Sequence, residues 1–156
     1  MSFADDVRDL YQEVILDHGR KPRHGRRLAA FDATAKGDNP MCGDRIEVWV
    51  KFNDDGTISD TGFEARGCAI SVASADLMAE TIQGLDRTSA KALFAKFRDY
   101  ARTGTCPLHD VSMGPALERL APLSGVHEYP SRVKCATLPW HALTAALDGM
   151  REASSE

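Results

Sequence analysis

Residues 44–67, DRIEVWVKFNDDGTISDTGFEARG, restrict the fold of this chain more than any other stretch. Ile46, Val48 and Val50 alternate with Glu47, Trp49 and Lys51, so one side of an extended segment is apolar. NDDG at 53–56 has hairpin-turn chemistry, and TISDTGFEARG (57–67) leads back. FDATAKG (31–37) supplies a third extended segment. The expected product is a small antiparallel meander with one buried face. The rest of the chain must cover that face. Trp49 stands opposite Ile46 and Val48 and packs under a helix or stays partly exposed; the alternation does not decide which.

Outside the strands the period becomes helical. Phe3, Val7, Leu10, Tyr11, Val14, Ile15 and His18 predict a helix over 4–18, capped by Ser2 and stopped by Gly19. After Gly67, Ile70, Ala73, Leu77, Met78 and Ile82 predict a second helix that ends at Gly84. Thr88 or Ser89 is expected to cap a third, with Ala90, Leu93, Phe94 and Phe97 inward. TGTCPLHDVSMG (103–114) reads as a loop and PALERLA as a short helix. A final helix puts Ala136, Trp140, Leu143, Leu147 and Met150 on one face, with Cys135 in its first turn. Pro139 predicts a kink or break near 135–138. The fold class is therefore α+β. One domain over 1–152 is expected, followed by a disordered tail at 153–156.

The 156 residues carry a net charge of −4, which argues against a nucleic-acid partner. No run of about 18 apolar residues is present, so no membrane span is expected. The start, MSFADDVRDL, lacks an apolar leader and points to the cytoplasm. In that reducing compartment Cys42, Cys68, Cys106 and Cys135 suggest metal or thiol chemistry rather than disulfides.

Three of the four cysteines fall at element ends. Cys42 precedes the second strand, Cys68 lies between the third strand and its helix, and Cys135 opens the last helix. Pairing across NDDG sets residue 44 opposite about residue 65, so Cys42 and Cys68 share one end of the sheet. With Asp44 they form a tetrahedral donor set suited to zinc. Arg45, Arg66, Arg132 and Lys134 would balance its negative charge. Spacing alone leaves the alternative open, because no CxxC pair is present and a buried free cysteine is an ordinary core residue. Cys106 has only His109 nearby, which makes no site. His18, His24 and His141 read as surface or packing residues, and Trp140 as core. Residues 18–27, HGRKPRHGRR, form the densest positive stretch. They read either as a solvated loop or as a docking patch of Arg20, Lys21, Arg23, Arg26 and Arg27 for an acidic surface.

NPMCGD, GCAISVASADLM and YPSRVKCATLPWHAL, in this order, resemble the SufU branch of the IscU/NifU-type iron–sulfur assembly proteins. LYQEVILDHGRKPRHGRRL resembles that family's first helix and loop, so the likeness runs from about residue 7 to 150. It implies a SufE/NifU-like α+β fold, a three-stranded antiparallel sheet with helices packed on one face. It also implies a functional quartet at Cys42, Asp44, Cys68 and Cys135. Cluster scaffolds of the wider family carry histidine before the last cysteine; here Lys134 stands there, and 103–120 looks inserted. Both features resemble the zinc-dependent sulfurtransferases. The resemblance then implies one zinc per chain and Arg132 near the metal. Cys42 would accept persulfide sulfur from a pyridoxal-phosphate cysteine desulfurase of the SufS type, and a downstream cluster scaffold could receive it. An iron–sulfur scaffold on the same ligands and a non-catalytic zinc-stabilised module are the alternatives.

Overall fold

The computed structural model describes residues 3–40, 43–105 and 114–154. Expectations for Ser2, Cys42, Cys106 and His109 lie outside these residues. The side chains of 3–8 and 154 are outside them too.

The meander forms as β1 (Ala33–Asn39), β2 (Asp44–Phe52) and β3 (Ile58–Arg66), all antiparallel. The turn is closed by Asn53 N–H to the Thr57 carbonyl at 2.7 Å, and Gly56 takes φ +87°. Asp55 accepts from the Thr57 backbone and hydroxyl. The register sets Arg45 against Arg66, which brings Asp44 level with Gly67 rather than with residue 65. The expectation that 42 and 68 share one sheet end rests on this register.

A fourth strand, β4 (Glu152–Ser154), pairs in parallel with β1 and gives the order β3-β2-β1-β4. This corrects both the three-stranded sheet and the tail expected from 153. Three residues carry too little pattern to read as a strand; backbone bonds along the open edge of β1 order them.

Helices α2 (Ala69–Ile82) and α5 (Pro130–Leu147) lie on the apolar face of the sheet. Ile46, Val48, Val50, Ile58 and Phe63 bury there with Met78, Leu138 and Trp140. Burying each such side chain contributes about 1.5–3 kcal/mol. Helix α1 (Phe3–Arg20) packs on α2. It runs two residues past the expected end. Gly19 is a contact glycine, because a Cβ there would sit 3.0 Å from the Ala69 carbonyl oxygen. Helix α3 (Arg87–Thr103) is capped by Asp86, whose carboxylate accepts from Ser89 N–H, not by Thr88 or Ser89. Helix α4 (Gly114–Leu120) and a 3₁₀ segment (Ala121–Glu128) lead to α5.

Of the expected kink or break, the break is absent: helix α5 is continuous through Pro139. A proline has no N–H for the carbonyl four residues earlier, and its ring crowds that oxygen. Here the carbonyls of the affected turn receive side-chain donors from α2. Ser71 Oγ lies 3.2 Å from the Cys135 carbonyl oxygen, within reach of its hydroxyl, and Ser74 Oγ–H donates to that of Ala136. Two buried serines thus let the proline turn remain helical.

The basic loop is built into the fold. Asp76 is fully buried in α2. It accepts from His24 N–H at 2.8 Å and meets His18 Nδ1 at 2.5 Å. The loop then crosses the outer edge of β3, where Phe63 N–H donates to the His24 carbonyl. A Cβ at Gly62 would lie 2.1 Å from the Arg26 carbonyl oxygen, so only glycine permits this crossing. Trp49, paired across the sheet with Gly62, is buried under this loop rather than under a helix. The Arg27 guanidinium lies 5.4 Å from its ring centre.

Candidate metal centre

The end of the sheet, the start of α2 and the second turn of α5 meet at one point. Asp44 begins β2 and is 3% exposed. Cys68 is the residue before α2, in extended conformation with φ −72° and ψ 163°, and makes no side-chain cap. Cys135 is 2% exposed in α5. The helix begins at Pro130, so Cys135 lies one turn deeper than its sequence suggests.

Asp44 is the organising residue. Its Oδ1 accepts the Cys68 backbone N–H at 3.1 Å. Its Oδ2 lies 3.7 Å from Cys68 Sγ and accepts from the Ser71 hydroxyl at 3.1 Å. One donor atom from each of Asp44, Cys68 and Cys135 falls within 4.8 Å of the others. Gly67 makes the approach possible, since a Cβ there would be 2.3 Å from Asp44 Oδ1. Two sulfurs and a carboxylate oxygen around one small volume are a donor set for zinc or another thiophilic cation.

The electrostatics agree. Burial first, then the Asp44 carboxylate and Cys68, push the Cys135 thiol far above the ordinary range for cysteine. A cation would reverse that and hold the thiolate. Arg132, in the first turn of α5, faces Cys68 and Cys135, and attraction to their ionised forms raises its pKa further. The cavity here, about 380 Å³, is lined by Gly43, Asp44, Gly67, Cys68, Arg132 and Cys135. Cys42 lies outside the described residues, but its neighbour Gly43 is at the rim with φ +77°.

Other expected site residues lie elsewhere. Lys134 is exposed and lines a separate cavity of about 340 Å³ between α3 and α5, with Arg98, Arg102, His127 and His141. Arg23 pairs with Asp17 at 2.5 Å and Arg26 with Asp60 at 2.9 Å. Arg20 and Lys21 are without an ion pair among the described residues. A second donor group, His18, Asp76 and Glu80, is also close-set. Both Asp76 oxygens already serve His18 and His24, so it is a clamp between α1, the basic loop and α2. The sequence reading missed Ser71 and Gly67. Their signal was position: a serine one turn after Cys68, and the glycine immediately before it.

Residues 10–136 match the NifU-like N terminal domain family. The Bacillus subtilis (strain 168) zinc-dependent sulfurtransferase SufU is 37% identical over 143 residues, 92% of either chain. The Streptococcus pyogenes serotype M1 iron–sulfur cluster assembly scaffold protein IscU is 38% identical over 138 residues, 88% of this chain and 82% of the relative. A crystal structure of a scaffold protein described as putative for the SUF system, from Fervidobacterium islandicum AW-1, superposes with a TM-score of 0.73. It is 31% identical, covering 86% of this chain and 94% of its own. With this sheet, this helix pair and this cysteine–aspartate centre, the chain belongs to the NifU-like N-terminal domain family of iron–sulfur cluster assembly proteins.

Proposed function

We propose that this protein is a zinc-dependent sulfurtransferase that accepts persulfide sulfur from a cysteine desulfurase for iron–sulfur cluster assembly. The observation that carries the reading is the convergence of Asp44, Cys68 and Cys135 around a cavity that exposed Gly43 also lines. The SufU relative, similar over nearly the whole chain, supports it. Asp44, Cys68, Cys135 and Cys42 would hold one zinc. When bound, the metal keeps the thiols deprotonated and acts as a Lewis acid.

The chain's own residues then divide the work. Cys42 is the acceptor: its thiolate attacks the outer sulfur of the desulfurase persulfide. The S–S bond breaks, its electron pair leaves with the desulfurase thiolate, and Cys42 keeps the sulfur as a persulfide. The exchange needs no outside oxidant or reductant. Asp44, Cys68 and Cys135 remain fixed by their three elements. Arg132 supplies positive charge beside the sulfurs and steadies negative charge during transfer.

For docking, Arg20 and Lys21 keep the role read for the basic loop, while Arg23, Arg26 and Arg27 serve the fold. Arg98 and Arg102 of α3 and Lys134 of α5 line a separate cavity with no carboxylate among its described lining residues, and offer a second cationic surface. An acidic rim on the desulfurase is the matching partner surface.

The deciding experiment measures metal content and desulfurase turnover on one sample. Near one zinc per chain with stimulated turnover is expected. Iron with visible absorption would favour the cluster-scaffold reading, and zinc without stimulation would leave a structural zinc module.

A further inference from the structure

Ser71 is a buried hydroxyl with one proton and two acceptors. Its oxygen is 3.1 Å from Asp44 Oδ2 and 3.2 Å from the Cys135 carbonyl. The acceptors belong to two of the residues assigned to the metal, on different elements. Oδ2 is also the Asp44 oxygen that approaches Cys68 Sγ, while Oδ1 is taken by the Cys68 N–H. A cation at the sulfurs would therefore claim the oxygen that Ser71 now serves. The second acceptor depends on Pro139. Without an N–H at 139 the helix ladder cannot supply the Cys135 carbonyl from that position, and Ser71 Oγ on α2 is 3.2 Å from its oxygen.

We propose that Ser71 is a positioning residue with two seats: it donates to Asp44 Oδ2 in the metal-free protein and to the Cys135 carbonyl once Oδ2 binds the metal. The proposal rests on the metal reading above and adds how the Asp44 carboxylate stays supported in both the metal-free and the metal-bound protein. With both seats present, neither state of the centre strands a buried donor, and an unmatched polar group is what makes buried rearrangements unfavourable. The proline in α5 is thus part of the centre, although its side chain bears no donor.

The sign of one measurement separates this from ordinary support of a ligand. A hydrogen bond to a carboxylate is stronger than one to a carbonyl. Ser71→Ala therefore removes more from the metal-free protein than from the zinc-bound one. Zinc affinity by chelator competition should rise about three- to tenfold. The thermal midpoint of the metal-free protein should fall. Pro139→Ala restores a helical N–H that competes for the Cys135 carbonyl, which removes the second seat and by itself should weaken zinc by stranding the Ser71 donor in the metal-bound state. In that background Ser71→Ala should raise zinc affinity by more than it does alone, because the zinc-bound protein then has no Ser71 hydrogen bond to lose.

The proposal is overturned if Ser71→Ala weakens zinc about tenfold or more, as loss of a simple supporting contact does. It is also overturned if the two substitutions act additively, or if neither affinity nor the metal-free midpoint moves. If the unsubstituted chain takes up no zinc, the metal reading fails and the two-seat role fails with it. Normal zinc uptake with the wrong response at Ser71 refutes the two-seat role alone.

Discussion

Gly67→Ala isolates the geometry of the centre from its chemistry. The glycine does not sit at positive φ, so alanine fits the backbone. The new Cβ would meet Asp44 Oδ1 at 2.3 Å, Cγ at 2.7 Å and Cβ at 3.1 Å. Relief to the start of ordinary contact, 3.4 Å, moves the carboxylate by roughly 1 Å. Metal–ligand distances tolerate about 0.2 Å. The same shift breaks the 3.1 Å bond from Cys68 N–H, a charge-assisted bond worth about 1.5–3 kcal/mol. Zinc affinity should then fall about 10–100-fold, the range for disturbing a ligand's support. The assay is chelator competition, with circular dichroism to confirm the fold. The partner experiment is Gly67→Ala in an Asp44→Ala background, where the close oxygen is gone and the added loss should nearly vanish. Wild-type zinc affinity in Gly67→Ala, or an equal loss in both backgrounds, would refute the reasoning.

Three further outcomes are expected. Cys42→Ala should abolish desulfurase stimulation while circular dichroism is unchanged, and Asp44→Cys should hold zinc more tightly yet transfer sulfur poorly; full transfer by either variant removes its assigned role. Reversing Arg98, Arg102 and Lys134 to Glu should slow association with the desulfurase at low salt and leave zinc content intact, the effect fading as ionic strength rises. Burial, aided by Arg98, lowers the pKa of His141, which packs edge-on against Phe94 at 5.0 Å. Its stabilising contribution is complete above the unfolded imidazole pKa of about 6.5 and is lost as pH falls toward the lower folded value. The thermal midpoint should decline from pH 7 to 5 more steeply than in His141→Gln, and parallel declines would assign the acid sensitivity elsewhere.

The sequence disclosed what depends on periodicity and chemical type. The alternation from Arg45 to Lys51 placed β2 and its buried face, and helical spacing placed α1, α2, α3 and α5. Asp44, Cys68 and Cys135 were recognisable as donors with a resemblance to guide them, and the sheet register then brings them together. What escaped reading depends on partners far away in sequence. Trp49 is buried because a loop some 25 residues earlier crosses the sheet, and that crossing depends on Gly62. β4 exists because β1 has an edge to fill. Pro139 is tolerated because Ser71 and Ser74 stand opposite, on a helix more than 60 residues before it. No window of local sequence holds any of these three facts.

The proline turn of α5 also bears on how the chain folds. A helix of this length with proline at its centre loses a ladder bond and about 3 kcal/mol relative to alanine, so its halves gain little by joining alone. They become one rod when α2 brings Ser71 and Ser74 against them. That docking event is the one that sets Cys68, at the head of α2, beside Cys135. The rod and the completed donor set therefore depend on the same docking, and a nascent chain still lacking α5 holds Asp44 and Cys68 without Cys135.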